Sequence, residues 1–326
     1  MPQIKETILA PPLDGGEWLQ GGPLSLSDAR GKNVVLVDFW DYTCVNCLRT
    51  LPYVAEWHRR YAPDGLVVVG VHAPEFGFAR DQPNVAAAIK EFGLDYPIVL
   101  DNDYAIWRAY SNRSWPAKYL IDAEGRLRYY HFGEGLYVET ETQIQKLLLE
   151  LNPILELIAP MAPLRDADRP GAVCYRVTPE LYLGYARGQF GNPAGVVQDK
   201  VFEYRDPGHH MEGLPYLVGA WSVGSDAARA EGTSASLALR YTAMDVNLVL
   251  APPSGSIARI EVMLAEGQRP GSDVKLDSGR LLVTVDRPRM YNLIANDSVV
   301  SGSIKLVARD PGWSAFAFTF ISCVVG

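Results

Sequence analysis

Cysteine, positive charge and long apolar runs are all scarce in this sequence. Four cysteines in 326 residues are too few for the dense disulfide framework that holds small secreted domains together. Lys and Arg number 30 against 38 Asp and Glu, a net charge of −8. Such a surface repels phosphate backbones and anionic headgroups, which argues against nucleic acid or an anionic membrane surface as a partner. No apolar run reaches the roughly 18–20 residues that span a bilayer. Residues 315–326, AFAFTFISCVVG, come nearest, and their alternating phenylalanines read as a strand. The N-terminal MPQIKETILAPPLDGGEW has neither a basic n-region nor an apolar h-region, so it is no secretory signal. As written, the chain is expected in the cytoplasm. As a piece of a longer membrane-tethered protein it would instead be periplasmic or otherwise extracytoplasmic.

Hydrophobic residues at 48% and charged residues at 21% describe a globular chain, and its length suits two domains. The character changes near residues 155–170. Pro160, Pro163 and Pro170 exclude a continuous helix there. The expected division is an α/β domain over 1–157, a linker over 158–170 and an all-β domain over 171–326.

The first half reads β, α, β, α, β, α, β, β, α. Asn33–Trp40 and Gly65–Ala73 are apolar, β-branched runs of the kind buried on both faces of a sheet. Helical patterns follow over 47–61, 82–92 and 104–108, with Gly93 as a C-terminal stop and Asp101 as a cap. AKYLID and RLRYYHF flank AEG as a hairpin, and residues 139–157 form the last helix. This order requires a parallel crossover followed by antiparallel strands, which gives a mixed sheet with helices on both faces. The second half reads as about nine short alternating strands without helices, the pattern of a β-sandwich or jelly roll.

Chemistry concentrates at Cys44 and Cys47. The CxxC follows a buried strand and opens a helix. Free N–H groups and the dipole at a helix N-terminus stabilise a thiolate. Cys44, the outer thiol, is placed to attack, and Cys47, one turn inward, to resolve the mixed disulfide. A zinc site would need about four ligands; there is no second CxxC, and His58 and His72 lack ligand spacing to the first. Asp38 stands alone in an apolar strand, where burial raises a carboxyl pKa and suits it to accept a proton from Cys47. Glu75 is either a second carboxylate near the dithiol or a solvated loop acid. No metal and no cofactor beyond a redox-active Cys44–Cys47 disulfide are expected.

VDFW, the six-residue step from Asp38 to Cys44, the CxxC, Pro52 and the Trp115-Pro116 segment of SWPAKYLID together resemble thioredoxin. With YTCVNCLRTLPYV and VGVHAPEF they resemble the TlpA-like thioredoxins. Including TPELYLGYARG at 178–188, the chain resembles the soluble C-terminal region of DipZ-type proteins, in which a carbohydrate-binding-module-like sandwich follows the thioredoxin domain. The resemblance implies a cis bond at Pro116, and Trp40, Trp115 and Pro116 on the substrate side. It implies a thiol–disulfide oxidoreductase acting on protein or small-molecule disulfides with an unassigned electron donor. Thr43 before the first cysteine, the Val-Asn dipeptide and the bulky Trp115 depart from ordinary thioredoxin at positions that tune potential and docking.

Two other functions compete with this reading. A peroxiredoxin-type peroxidase would want Thr or Ser and a Pro upstream of its cysteine, and no Pro lies between Arg30 and Cys44. A glycan- or protein-binding role would make the second domain the business end. There, Tyr216, Trp221 and Trp313 read as core, and His209-His210-Met211 after a DPG turn reads as an exposed loop. Cys174 and Cys323 read as buried thiols in a reducing compartment. First and last strands of a sandwich often pair, so a bridge between them stays geometrically conceivable.

Overall fold

The computed structural model describes residues 8–169, 172–321 and 323–324. The chain divides into two compact units, 1–168 and 169–326. The expected start of the second domain at 171 lies outside the described residues.

The first unit is a six-stranded mixed sheet. Its strands are β1 (Glu17–Gln20), β2 (Val34–Trp40), β3 (Leu66–His72), β4 (Ile98–Leu100), β5 (Ala117–Ile121) and β6 (Leu127–Phe132), and its helices are α1 (Leu26–Ala29), α2 (Val45–Tyr61), α3 (Gln82–Phe92), α4 (Ala105–Ala109) and α5 (Tyr137–Leu151). The order is β1-β4-β3-β2-β5-β6. Strands β2, β3 and β4 are parallel, whereas β5 and β6 add antiparallel on one side and β1 on the other. All seven residues of β2 are buried, because helices cover both faces. Val34, Leu36 and Trp40 join the core formed with α2, α3 and α5. Val35, Val37 and Phe39 join the opposite core with α1 and α4. This period of two places Asp38 on the α2 face.

Asp101 caps α4 by accepting from Ile106 N–H and Trp107 N–H. Gly93 ends α3 with φ 62°, the left-handed geometry that favours glycine. Three readings change. Strand β1 and helix α1 are additional. Helix α5 stops at Leu151 rather than 157, since Pro153 has no N–H to continue the ladder. Residues 158–168, expected as linker, lie back along α2 and α5. Met161 is buried and its N–H donates to Glu141 Oε2 at 2.8 Å. Tyr53 Oη accepts from Leu164 N–H and donates to Asp168 Oδ2, each at 2.7 Å.

The second unit contains strands β7 (Val173–Cys174), β8 (Leu181–Tyr182), β9 (Val201–Tyr204), β10 (Tyr216–Val223), β11 (Ala228–Ala230), β12 (Ser236–Ala251), β13 (Ala258–Leu264), β14 (Val274–Asp277), β15 (Arg280–Val285), β16 (Arg289–Ala308), β17 (Ser314–Ile321) and β18 (Cys323–Val324). All but β7 and β18 join one large antiparallel sheet, and β12 also pairs with β17. The sheet thus returns on itself around a single apolar core. Strands β12 and β16, of 16 and 20 residues, are longer than the short strands expected of this half. Shifts in register at Ala243/Asp245 and Val246/Asn247 bend β12 without ending it. Tyr216, Trp221 and Trp313 are buried, and the two tryptophans meet edge to face. None of the three forms an exposed stacking platform.

Candidate active site

The strand-to-helix turn after β2 presents the dithiol. Cys44 is the N-cap of α2, and its Sγ accepts the Cys47 N–H at 3.3 Å. The sulfur therefore occupies the place where an N-cap oxygen satisfies a free amide, next to the positive end of a 17-residue helix. Cys44 is partly exposed, Cys47 is fully buried, and both are free thiols. Burial, then the hydrogen bond to Cys44, pushes the Cys47 thiol well above its usual value. Cys47 consequently stays protonated until a base acts.

Asp38 is fully buried on the same side of the sheet, and neither carboxylate oxygen has a hydrogen-bond partner among the described residues. Desolvation pushes its pKa up to about 7, and Lys118 moderates the rise. A carboxyl with that pKa exchanges a proton readily near neutrality. Its negative charge adds, as the smallest of the causes, to the rise of the Cys47 thiol.

Lys118 was not singled out from the sequence. It sits directly opposite Asp38 in the β2–β5 register and is fully buried. Its neighbours Ala117, Tyr119 and Ile121 belong to the other face, so alternation puts Lys118 on the α2 face with Asp38. Nζ is 3.4 Å from the Gly133 carbonyl and lies over the Tyr137 ring. Burial lowers the Lys118 pKa, while Asp38, Cys47 and Glu134 oppose that shift. Cys47, Asp38 and Lys118 thus form one electrostatically linked interior group. The signal that marked Asp38, a lone charge in an apolar strand, was equally present in AKYLID.

Asp41 was also missed. It is fully buried and accepts from Thr43 N–H at 2.6 Å, Thr43 Oγ1–H at 2.5 Å and Glu75 N–H at 2.9 Å. These bonds fasten the turn before Cys44 to the segment after β3. In the sequence Asp41 was indistinguishable from a solvated loop acid. Glu75 enters this clamp through its backbone. His72 lies 3.7 Å from Asp41, stacks on Tyr42 and is held neutral by burial, its pKa lowered to about 3.

The Trp115–Pro116 bond is cis. Pro116 is buried and its carbonyl accepts from Gly133 N–H at 2.8 Å. Trp115 is half-buried, donates Nε1–H to the Ala73 carbonyl at 2.9 Å and packs on Trp107 at 4.3 Å between rings. Trp40 requires a correction. Expected on the substrate side, it is fully buried in the α2 core, edge-on to His72, because position 40 shares the inward face with Leu36. In the second unit His210 stacks on Tyr216 and lies 3.0 Å from Asp206, and no group of three or more metal-ligating side chains occurs among the described residues.

A mixed sheet of this order, with a CxxC at the head of α2 and a cis-proline before β5, is a thioredoxin-like arrangement. Residues 10–130 match the AhpC/TSA family and residues 178–320 match the "Thioredoxin like C-terminal domain" family. The particular likeness is to Protein DipZ of Mycobacterium bovis and of Mycobacterium tuberculosis, each 35% identical over 325 residues and 98% of this chain. The chain spans 44% of the length of those relatives. The thiol-disulfide oxidoreductase YkuV of Bacillus subtilis is 29% identical, over 43% of this chain and 94% of its own length. Among solved structures, a thioredoxin-like protein in its oxidised form is 30% identical over 45% of this chain and 99% of its own, with a TM-score of 0.42. No described helix is long and apolar enough to cross a membrane.

Proposed function

We propose that this chain exchanges thiols and disulfides by an ordered dithiol mechanism on protein or small-molecule substrates. The observation that carries the reading is a partly exposed sulfur capping α2 next to a buried thiol, with a buried carboxylate lacking a hydrogen-bond partner on the same face of the sheet. Cys44 thiolate attacks one sulfur of the substrate disulfide, forms a mixed disulfide and releases the other sulfur as thiolate. Cys47 then gives its proton to Asp38 and attacks Cys44 Sγ. The second substrate sulfur leaves as thiolate, the proton on Asp38 and one from solvent complete the substrate dithiol, and the Cys44–Cys47 disulfide remains. Lys118 stabilises whichever member of the Asp38/Cys47 couple carries the negative charge. Reversal of the same steps oxidises a substrate dithiol. The exposed edge of Trp115 beside Pro116 forms part of the docking face.

The similarity to DipZ supports a finer reading of location. The chain works on the extracytoplasmic side, as part of a longer protein, with an electron donor that the similarity does not name.

The AhpC/TSA match favours peroxide reduction at Cys44 as a second reading. Against it, the hydroxyl of Thr43 already donates to Asp41 at 2.5 Å. Insulin reduction and peroxide consumption measured on one sample separate the two. Dithiol-dependent insulin reduction with negligible peroxide turnover is expected, and the opposite pattern would replace the first reading.

A further inference from the structure

The four cysteines divide evenly between the units. Two form the dithiol; the other two, Cys174 and Cys323, are about 150 residues apart, a long loop by the standard of chain cross-links. The fold nevertheless brings them to one place. Strands β7 and β18 pair antiparallel in a ribbon of their own, with Cys323 opposite Cys174 and Val324 opposite Val173. We propose that Cys174 and Cys323 form a structural disulfide that joins the two ends of the second unit.

Directly opposed residues of an antiparallel pair have Cα atoms about 4.5–5.5 Å apart, within the roughly 4.4–6.8 Å that a disulfide spans. A bridge at this register therefore needs no change in the pairing of the two strands. Two-residue strands are too short to hold a ribbon by main-chain hydrogen bonds alone. A covalent link across them answers that weakness, and it closes nearly the whole unit into one loop, where restricting the unfolded chain has its greatest effect.

Oxidation proceeds by two exchanges with a low-molecular-weight disulfide. One cysteine thiolate attacks the oxidant, forms a mixed disulfide and expels one small thiolate. The opposed cysteine, as thiolate, attacks the protein sulfur of that mixed disulfide and expels the second. The two protein thiols are oxidised, the oxidant is reduced to two thiols, and their protons pass to the expelled thiolates. The proposal is independent of the dithiol reading of the first unit.

The test uses the full chain carrying Cys44→Ser and Cys47→Ser, so that only Cys174 and Cys323 remain. After incubation with oxidised glutathione and alkylation under denaturing conditions, the intact mass should show no alkyl or glutathione adduct. A non-reducing digest should give one peptide pair joined through Cys174 and Cys323. Reduction should lower the melting temperature of the second unit by about 10 °C, given the loop length and unit size. Two alkyl or two glutathione adducts, or a melting temperature unmoved by reduction, would overturn the proposal. The same digest on the unaltered chain decides the matter if the double variant does not fold.

Discussion

Ionising Asp38 is costly because its oxygens are buried without hydrogen-bond partners, and the consequence can be read from pH. Its folded pKa is about 7 against an unfolded 3.8. Between those values the folded state holds a proton that the unfolded state has lost. Stability therefore falls as pH rises through that window and stays lower above it. Asp38→Asn removes the cost: it should raise unfolding free energy at pH 8 by up to about 4 kcal/mol and leave pH 3 unchanged, as read by urea denaturation at the two pH values. The same variant should lose roughly 100-fold or more in exchange rate, the usual contribution of a positioned proton acceptor. Full activity from pH 6 to 8 would make Asp38 structural only. Lys118 lowers the Asp38 pKa, so Lys118→Met should move the rising limb of the pH–rate profile upward by about one unit. A residue serving only to fill space would lower amplitude and leave the limb in place. Both residues announce themselves as lone charges inside apolar strands. Only the β2–β5 register shows that they face each other, and register is a long-range property that neither strand encodes by itself.

At the scale of elements, the pieces of the first unit that were legible are those with a period bounded by a stop. Strands β2 and β3 are unbroken apolar runs, α3 ends on Gly93, and the hairpin of β5 and β6 turns at Gly125. Strand β1 was not legible because four residues, EWLQ, carry no period, and it owes its extension to pairing with β4. In the second unit β12 and β16 looked like two strands each, because the pairing is interrupted where residue 244 of β12 lies opposite residues 296–299 of β16, and a break of that kind mimics a turn. The segment 158–168 looked like a linker on its prolines, yet its N–H groups complete bonds that Glu141 and Tyr53 need. Cutting the chain tests this directly. A fragment of residues 1–168 should keep its exchange activity toward a small disulfide. One of residues 1–157 should melt roughly 10 °C lower, since it loses several buried hydrogen bonds, some to charged groups. Equal melting temperatures would show that the segment is a mere tether.

For the whole molecule, the division of labour follows from where the chemistry-bearing residues fall. Asp38, Cys44, Cys47, Pro116 and Lys118 all belong to the first unit, and Tyr216, Trp221 and Trp313 of the second are core. Two modules and a dithiol were legible in the sequence because thiol chemistry requires a short, fixed spacing at a helix start. The buried clamp at Asp41 was not, since a carboxylate that organises a turn and one that faces water are written with the same letter. The proposed mechanism orders the two thiols: the partly exposed cap attacks, and the buried thiol resolves only after losing its proton. The most direct measurement is capture of a mixed disulfide with a protein substrate such as insulin. Cys47→Ser should accumulate a covalent complex through Cys44 that reductant releases, while Cys44→Ser should accumulate none. Equal capture by both variants, or capture by Cys44→Ser alone, would contradict the assignment of attacker and resolver.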